Sequence, residues 1–230
     1  MRVVFGAGVE TLGLQTVIRK KSMFNVDSII IQFDQGLRAL TGGLAASRPN
    51  PAGNVAQSQL SNQQRRHSAG LMRVNHVGEI CAQALYQSQA NIAHSPGIAQ
   101  QFMDAGLEEQ DHLSWTAERL TELNARTSFA NPLWYVTSYA LGTLVGRMSD
   151  AVSLGFMVET ERQVEAHLAS HLNRLPAEDI KSRAIVKQMQ LDEAAHGRQA
   201  EKLGAQPLPK QVKYAMQAMS KIMTTVAYYL

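Results

Sequence analysis

The chain has 230 residues, 45% of them hydrophobic and only 6% aromatic, with ten Met and a net charge of +3. That is core material for one helical domain rather than a sandwich. A lone cysteine, Cys81, excludes an intrachain disulfide and any all-thiolate metal site, points to a reducing compartment, and reads as a small buried hydrophobe.

The charge is uneven. Residues 1–73 carry nine Lys/Arg against three acids and residues 201–230 carry four against one, which leaves −6 for the middle. Basic ends suit nucleic acid, an anionic membrane surface or solvated tails. No zinc-finger spacing, RNP aromatics or Gly-rich phosphate loop accompanies them, so nucleic acid is excluded as a partner. The membrane surface ranks first.

Residues 1–22, ending in Arg19-Lys20-Lys21, form an extension of uncertain status. They lack a secretory cleavage site and are read either as a transit peptide or as sequence ahead of a true start at Met23. Residues 23–41 form an amphipathic helix with Ile29, Phe33, Leu37 and Leu40 on one side. Residues 42–70 read as linker, from Gly42-Gly43 through Arg48-Pro49-Asn50-Pro51 to a Gln/Ser/Asn run.

Residues 71–230 form the main domain, with helices expected at 71–93, 97–123, 132–147, 149–173, 177–203 and 209–229. Ser95-Pro96-Gly97, Asn131-Pro132, Leu175-Pro176 and Pro207-Leu208-Pro209 mark the breaks. The apolar run from Pro132 to Gly146 rises about 22 Å, short of the roughly 30 Å hydrocarbon core, so it is buried or interfacial rather than spanning. The last helix sets Lys210, Lys213 and Lys221 beside Val212, Met216, Met219, Ile222, Met223 and Val226, the pattern of a membrane-surface helix or of a packed sixth helix.

Four helices place acids on apolar faces. The inward stripes are Met72, Asn75, Glu79, Ala82, Tyr86, then Ile98, Phe102, Ala105, Glu109, His112, Thr116, Leu120. Met157, Glu161, Val164, Leu168 follow, and last Ile185, Met189, Glu193, His196, Ala200, Leu203. Buried unpaired carboxylates cost several kcal/mol each, and two divalent cations would balance four of them.

Glu109-Gln110-Asp111-His112 and Glu193-Ala194-Ala195-His196 are both Glu-x-x-His, which puts both side chains on one helix face. One further Glu comes from each remaining helix, the ligand set of dimetal carboxylate bundles. The halves repeat, offset by 82 residues at the first Glu and by 84 at each Glu-x-x-His. Glu79, Glu109, His112, Glu161, Glu193 and His196 are thus the candidate ligands, for iron or manganese rather than zinc.

Other residues carry weaker signals. His76 and His167 are either orienting partners of ligand carboxylates or packing residues. Glu108, Glu159 and Glu165 read as solvated, His67, His94 and His171 as loop or surface residues, and Tyr86 and Tyr135 as core.

Arg73-Val74-Asn75-His76-Val77-Gly78-Glu79 resembles the opening motif of the demethoxyubiquinone hydroxylase family of ubiquinone biosynthesis. The stretches at 109–112, Thr160-Glu161 and 193–196 match its later ligand motifs in order, and Asn131-Pro132-Leu133-Trp134 and Ala140-Leu141-Gly142 are similar too. The likeness runs from about residue 24 onward, and it departs at Asn75, where many members have Asp.

The resemblance implies an all-α, ferritin-like four-helix bundle with additional interfacial helices, holding two Fe ions at the six ligands. It implies a monooxygenase that hydroxylates a polyprenylated demethoxy-benzoquinol with dioxygen and two electrons. Peripheral attachment to the cytoplasmic side of a bacterial inner membrane goes with it, the mitochondrial matrix side being the second choice. It points further to a homo-oligomer and to a complex with other ubiquinone-biosynthesis proteins. NADH is the implied reductant, although no Gly-rich dinucleotide fingerprint is present. A ferroxidase built on the same bundle is the competing reading.

Overall fold

The computed structural model describes residues 26–43, 45–56 and 59–230. The expected extension 1–22 lies outside them, as do the side chains of Ile29 and Phe33. Among the described residues seven helices follow one another: α1 (Val26–Thr41), α2 (Asn62–Ile92), α3 (Pro96–Glu122), α4 (Asn131–Gly146), α5 (Asp150–Arg174), α6 (Ile180–Lys202) and α7 (Lys210–Tyr229). Among the described residues there is no strand.

Local chemistry sets the ends. α2 opens at Asn62 rather than Leu71, because Ser61 and Gln64 make a reciprocal capping box. The Gln/Ser/Asn run read as linker is in its second half the first turns of this helix. Pro96 starts α3, and Asn124 in the left-handed region (φ 54°) stops it. Ser149 caps α5 and Asp179 caps α6, which opens at Ile180 rather than at 177.

α2 with α3 and α5 with α6 form two antiparallel hairpins that pack into a four-helix bundle, the ferritin-like arrangement expected. α4 crosses between the hairpins along α2, where Gly142 lets its backbone approach Leu85 and Ser88 with no room for a Cβ. α7 lies over α2 and α5.

Two apolar plugs fill the bundle. One holds Leu71, Met72, Trp115, Leu120, Leu168, Ile185 and Met189. The other holds Tyr86, Phe102, Ala105, Leu154, Phe156, Met157 and Ala200. Leu203, expected on the inward stripe, is 40% exposed because α6 has ended by then. On α1 the packed positions are Gly36, Ala39 and Leu40, while Leu37 faces outward.

Candidate metal centre

Between the two plugs the bundle turns polar. Glu79, Glu109, His112, Glu161, Glu193 and His196 are all at most 5% exposed. They form two groups whose ligand atoms lie within 4.8 Å of one another: Glu79, Glu109, His112, Glu193, and Glu109, Glu161, Glu193, His196. Glu109 and Glu193 belong to both groups, as bridging carboxylates would. All six residues singled out by spacing therefore converge.

Each imidazole turns Nδ1 inward. His112 Nδ1 lies 3.2 Å from Glu109, 3.4 Å from Glu193 and 3.5 Å from Glu79. His196 Nδ1 lies 3.3 Å from Glu109 and 3.6 Å from both Glu161 and Glu193. Of these contacts His112 Nδ1 with Glu109 Oε2 is a hydrogen bond, whereas Glu79 Oε2, Glu109 Oε1 and both His196 ring nitrogens are buried without a hydrogen-bond partner.

Electrostatics reflects the crowding. Burial pushes Glu79 well above the usual carboxylate range, with Glu109 adding to it, and burial with Glu193 does the same to Glu161. Burial also opposes the charge on Glu109, but the hydrogen bond from His112 and the His196 ring close beside it outweigh burial and hold that group well below its ordinary value. Carboxylates packed this closely oppose one another's charge, which two dications would relieve. Orphaned donor atoms, shared carboxylates and a hard-to-intermediate donor set all fit a pair of iron or manganese ions.

A second layer repeats the symmetry. The acid just before each Glu-x-x-His reaches across to the other helix's imidazole: His112 Nε2 donates to Asp192 at 3.0 Å, and His196 Nε2 lies 3.4 Å from Glu108. Glu108 is therefore not merely solvated. The signal, an acid preceding both motifs, stands in the sequence as Glu108-Glu109 and Asp192-Glu193.

Arg48 bridges these acids. Its Nε donates to Asp111 at 2.6 Å, while Nη1 stands 3.0 Å from Asp192 and 3.5 Å from Glu108. The guanidinium also lies 5.0 Å from the Trp115 ring centre, and Ser47 N–H donates to Asp111 at 2.6 Å. The segment read as linker thus straps α3 to α6 outside the ligands.

Several single residues depart from expectation. Tyr86 is core, yet its hydroxyl donates to Glu161. Glu159 is 1% exposed and pairs with Arg162 and Lys213, so it is not solvated. His171 is buried at 1% exposure against His167, their ring centres 4.0 Å apart, rather than on the surface. His67 is half-buried and bonded to the Tyr228 hydroxyl, whereas His94 is an exposed loop residue at Asp150. His76 is buried without contact to any ligand carboxylate, which supports packing over orientation.

One cavity of about 960 Å³, its open mouth included, reaches Glu79, Glu109, Glu161 and Glu193. Its walls are otherwise mostly apolar, with Leu85, Leu141 and Phe156 inside and Met216, Met219 and Met223 of α7 above. Met219 is 58% exposed, so the mouth lies at α7.

The model of the Ubiquinone biosynthesis protein COQ7 family matches residues 66–227. The chain belongs to that family. It is 61% identical over 204 residues, 89% of this chain and 97% of the relative, to a 3-demethoxyubiquinol 3-hydroxylase of Herminiimonas arsenicoxydans. A 3-demethoxyubiquinol 3-hydroxylase of Janthinobacterium sp. (strain Marseille) is also 61% identical, over 89% of this chain and 98% of its own length. One from Burkholderia pseudomallei (strain 668) is 53% identical over 205 residues, 89% of this chain and 99% of the relative. The family resemblance carried by Arg73–Glu79 and the later motifs is thereby borne out.

Proposed function

We propose that the chain is a di-iron monooxygenase that hydroxylates the ring of 3-demethoxyubiquinol, a polyprenylated benzoquinol, with dioxygen and two electrons. The observation that carries this reading is the pair of ligand groups sharing Glu109 and Glu193 at the floor of an apolar cavity. The relatives' activity supports it.

When bound, two irons would supply the redox chemistry of dioxygen, one oxygen atom going to the ring and the other to water with two electrons and two protons. The chain does the rest. Glu79 with His112 and Glu161 with His196 would hold one ion each, with Glu109 and Glu193 available to both. Asp192 orients the His112 ring by accepting its Nε2 proton, and the Tyr86 hydroxyl steadies Glu161. Leu85, Phe156, Leu168 and the α7 methionines exclude water and accept the ring and the start of its tail.

A polyprenyl tail favours entry from a bilayer. No helix of the described residues is long and apolar enough to cross one. The helices that reach the cavity carry exposed apolar residues instead: Leu133, Val136 and Leu144 on α4, and Met219 and Ile222 on α7. With Lys210 and Lys221 beside them, they form a rim suited to peripheral attachment, which we place at the cytoplasmic face of a bacterial inner membrane.

The test is anaerobic loading with Fe(II), then dioxygen, a short-chain demethoxyquinol and either NADH or a chemical reductant. A product carrying one additional oxygen atom, labelled from ¹⁸O₂, is expected. Iron oxidation with a growing ferric deposit and no hydroxylated quinol would favour the ferroxidase and end the proposal.

A further inference from the structure

Three residues that line the cavity outside the six-residue set each carry a buried polar atom that no protein group satisfies: Asn75 Oδ1, Thr160 Oγ1 and His167 Nε2. Asn75 is 4% exposed, and its amide nitrogen meets only the Met72 sulfur, at 3.8 Å. Native proteins rarely leave such atoms unpaired, and in a largely apolar pocket a few polar atoms fix a ligand's orientation. Thr160 adjoins the candidate ligand Glu161 in sequence.

Asn75 and His167 lie farther out. Contacts of Tyr86 with Glu161 and of His67 with the Arg174 carbonyl show that α2 and α5 run antiparallel. His167 therefore stands level with Val74 and Asn75, and it shares a second surface pocket with Val74. Asn75 precedes Glu79 by one helical turn, a rise of about 6 Å, which one aromatic ring bridges.

Resting on the quinol reading above, we propose that Asn75 and His167 are the headgroup-reading pair of this cavity. They hydrogen-bond the ring oxygens from opposite walls and so decide which ring carbon faces the ligand carboxylates. Burial holds the His167 imidazole down to about 4, so near neutrality it is uncharged and can accept a proton-bearing hydroxyl. The Asn75 amide offers both a donor and an acceptor, which suits the quinol and the quinone alike.

Binding to the metal-free chain separates this role from metal chemistry. The probes are a short-chain demethoxy-benzoquinone and an alkylbenzene of the same shape without ring oxygens. Asn75→Leu and His167→Phe should each weaken the quinone by roughly 5- to 30-fold and leave the alkylbenzene unchanged. His167→Gln, which keeps an amide at the imidazole's place, should recover most of the loss, and it decides the matter if Asn75→Leu does not fold. Loaded enzyme carrying either apolar variant should consume dioxygen with a smaller share reaching product. Variants that bind quinone like wild type, or lose both probes in proportion, overturn the assignment. If wild type hydroxylates the quinol while the variants match it, the pair alone is wrong; if wild type neither binds quinone nor hydroxylates quinol, the proposed function falls first.

Discussion

The two halves of the centre share a ligand pattern but not a support. His112 is fully buried, its outer nitrogen held by Asp192, which Arg48 ties to Asp111. His196 has only the half-exposed Glu108, 3.4 Å from a nitrogen that makes no hydrogen bond. On the carboxylate side the order reverses: Glu161 receives the Tyr86 hydroxyl, whereas Glu79 Oε2 has no partner. The repeat explains both differences. The offset of 84 puts Ala195 where Asp111 stands, so the His196 half lacks the acid to which Arg48 Nε donates, and the offset of 82 puts Leu168 where Tyr86 stands. One half is braced at its imidazole, the other at its carboxylate.

The largest effect should come from a residue that belongs to both halves. Glu193→Ala is expected to abolish iron binding and activity together, while Glu79→Ala should strip one ion and leave the other half loaded. Metal content by elemental analysis reads the difference, and equal stoichiometry in the two variants would refute the sharing. Next come the braces. Arg48→Gln or Asp192→Asn should weaken one metal by roughly 10- to 100-fold, since orienting partners typically have that effect. Glu108→Gln should cost only a few-fold, and a larger loss there than at Asp192 would reverse the comparison. Tyr86→Phe, which removes one hydrogen bond to a carboxylate, should weaken the other half by roughly tenfold. The same variant should leave the His112 half unchanged in the Co(II) ligand-field spectrum.

Legibility followed locality. Glu109 with His112 and Glu193 with His196 are readable because a helix brings residues three apart onto one face, and the repeat makes chance unattractive. Ser61 and Gln64 were equally readable as a capping box, but Gln/Ser/Asn composition favoured a linker there. Arg48 was not readable. Its partners Glu108, Asp111 and Asp192 are distant in sequence, and nothing in Arg48-Pro49-Asn50 says which acids it will meet. His171 followed the same rule, since helical period alone does not tell a face covered by α7 from an open one.

Glu159 and Glu165 give the smallest and sharpest test, because both flank Glu161 and both looked solvated. Glu159 is held down to about 2: burial opposes its charge, but Arg162, Gln163 and Lys213 of α7 outweigh it. A carboxylate whose folded value lies below its unfolded one stabilises fully above the unfolded value, near 4.5, and loses that stabilisation as the pH falls toward 2. Glu159→Ala should therefore destabilise the chain by about 1–3 kcal/mol at pH 7, leaving Lys213 without its carboxylate, and by less as the solution is acidified. Glu165→Ala should stay within about 0.5 kcal/mol. Both follow from thermal unfolding across a pH series. Because Glu159 fastens α7 and α7 roofs the cavity, its variant should also raise KM for the quinol with little change in iron content. An equal response from Glu165 would mean that α7 is held by its apolar face alone.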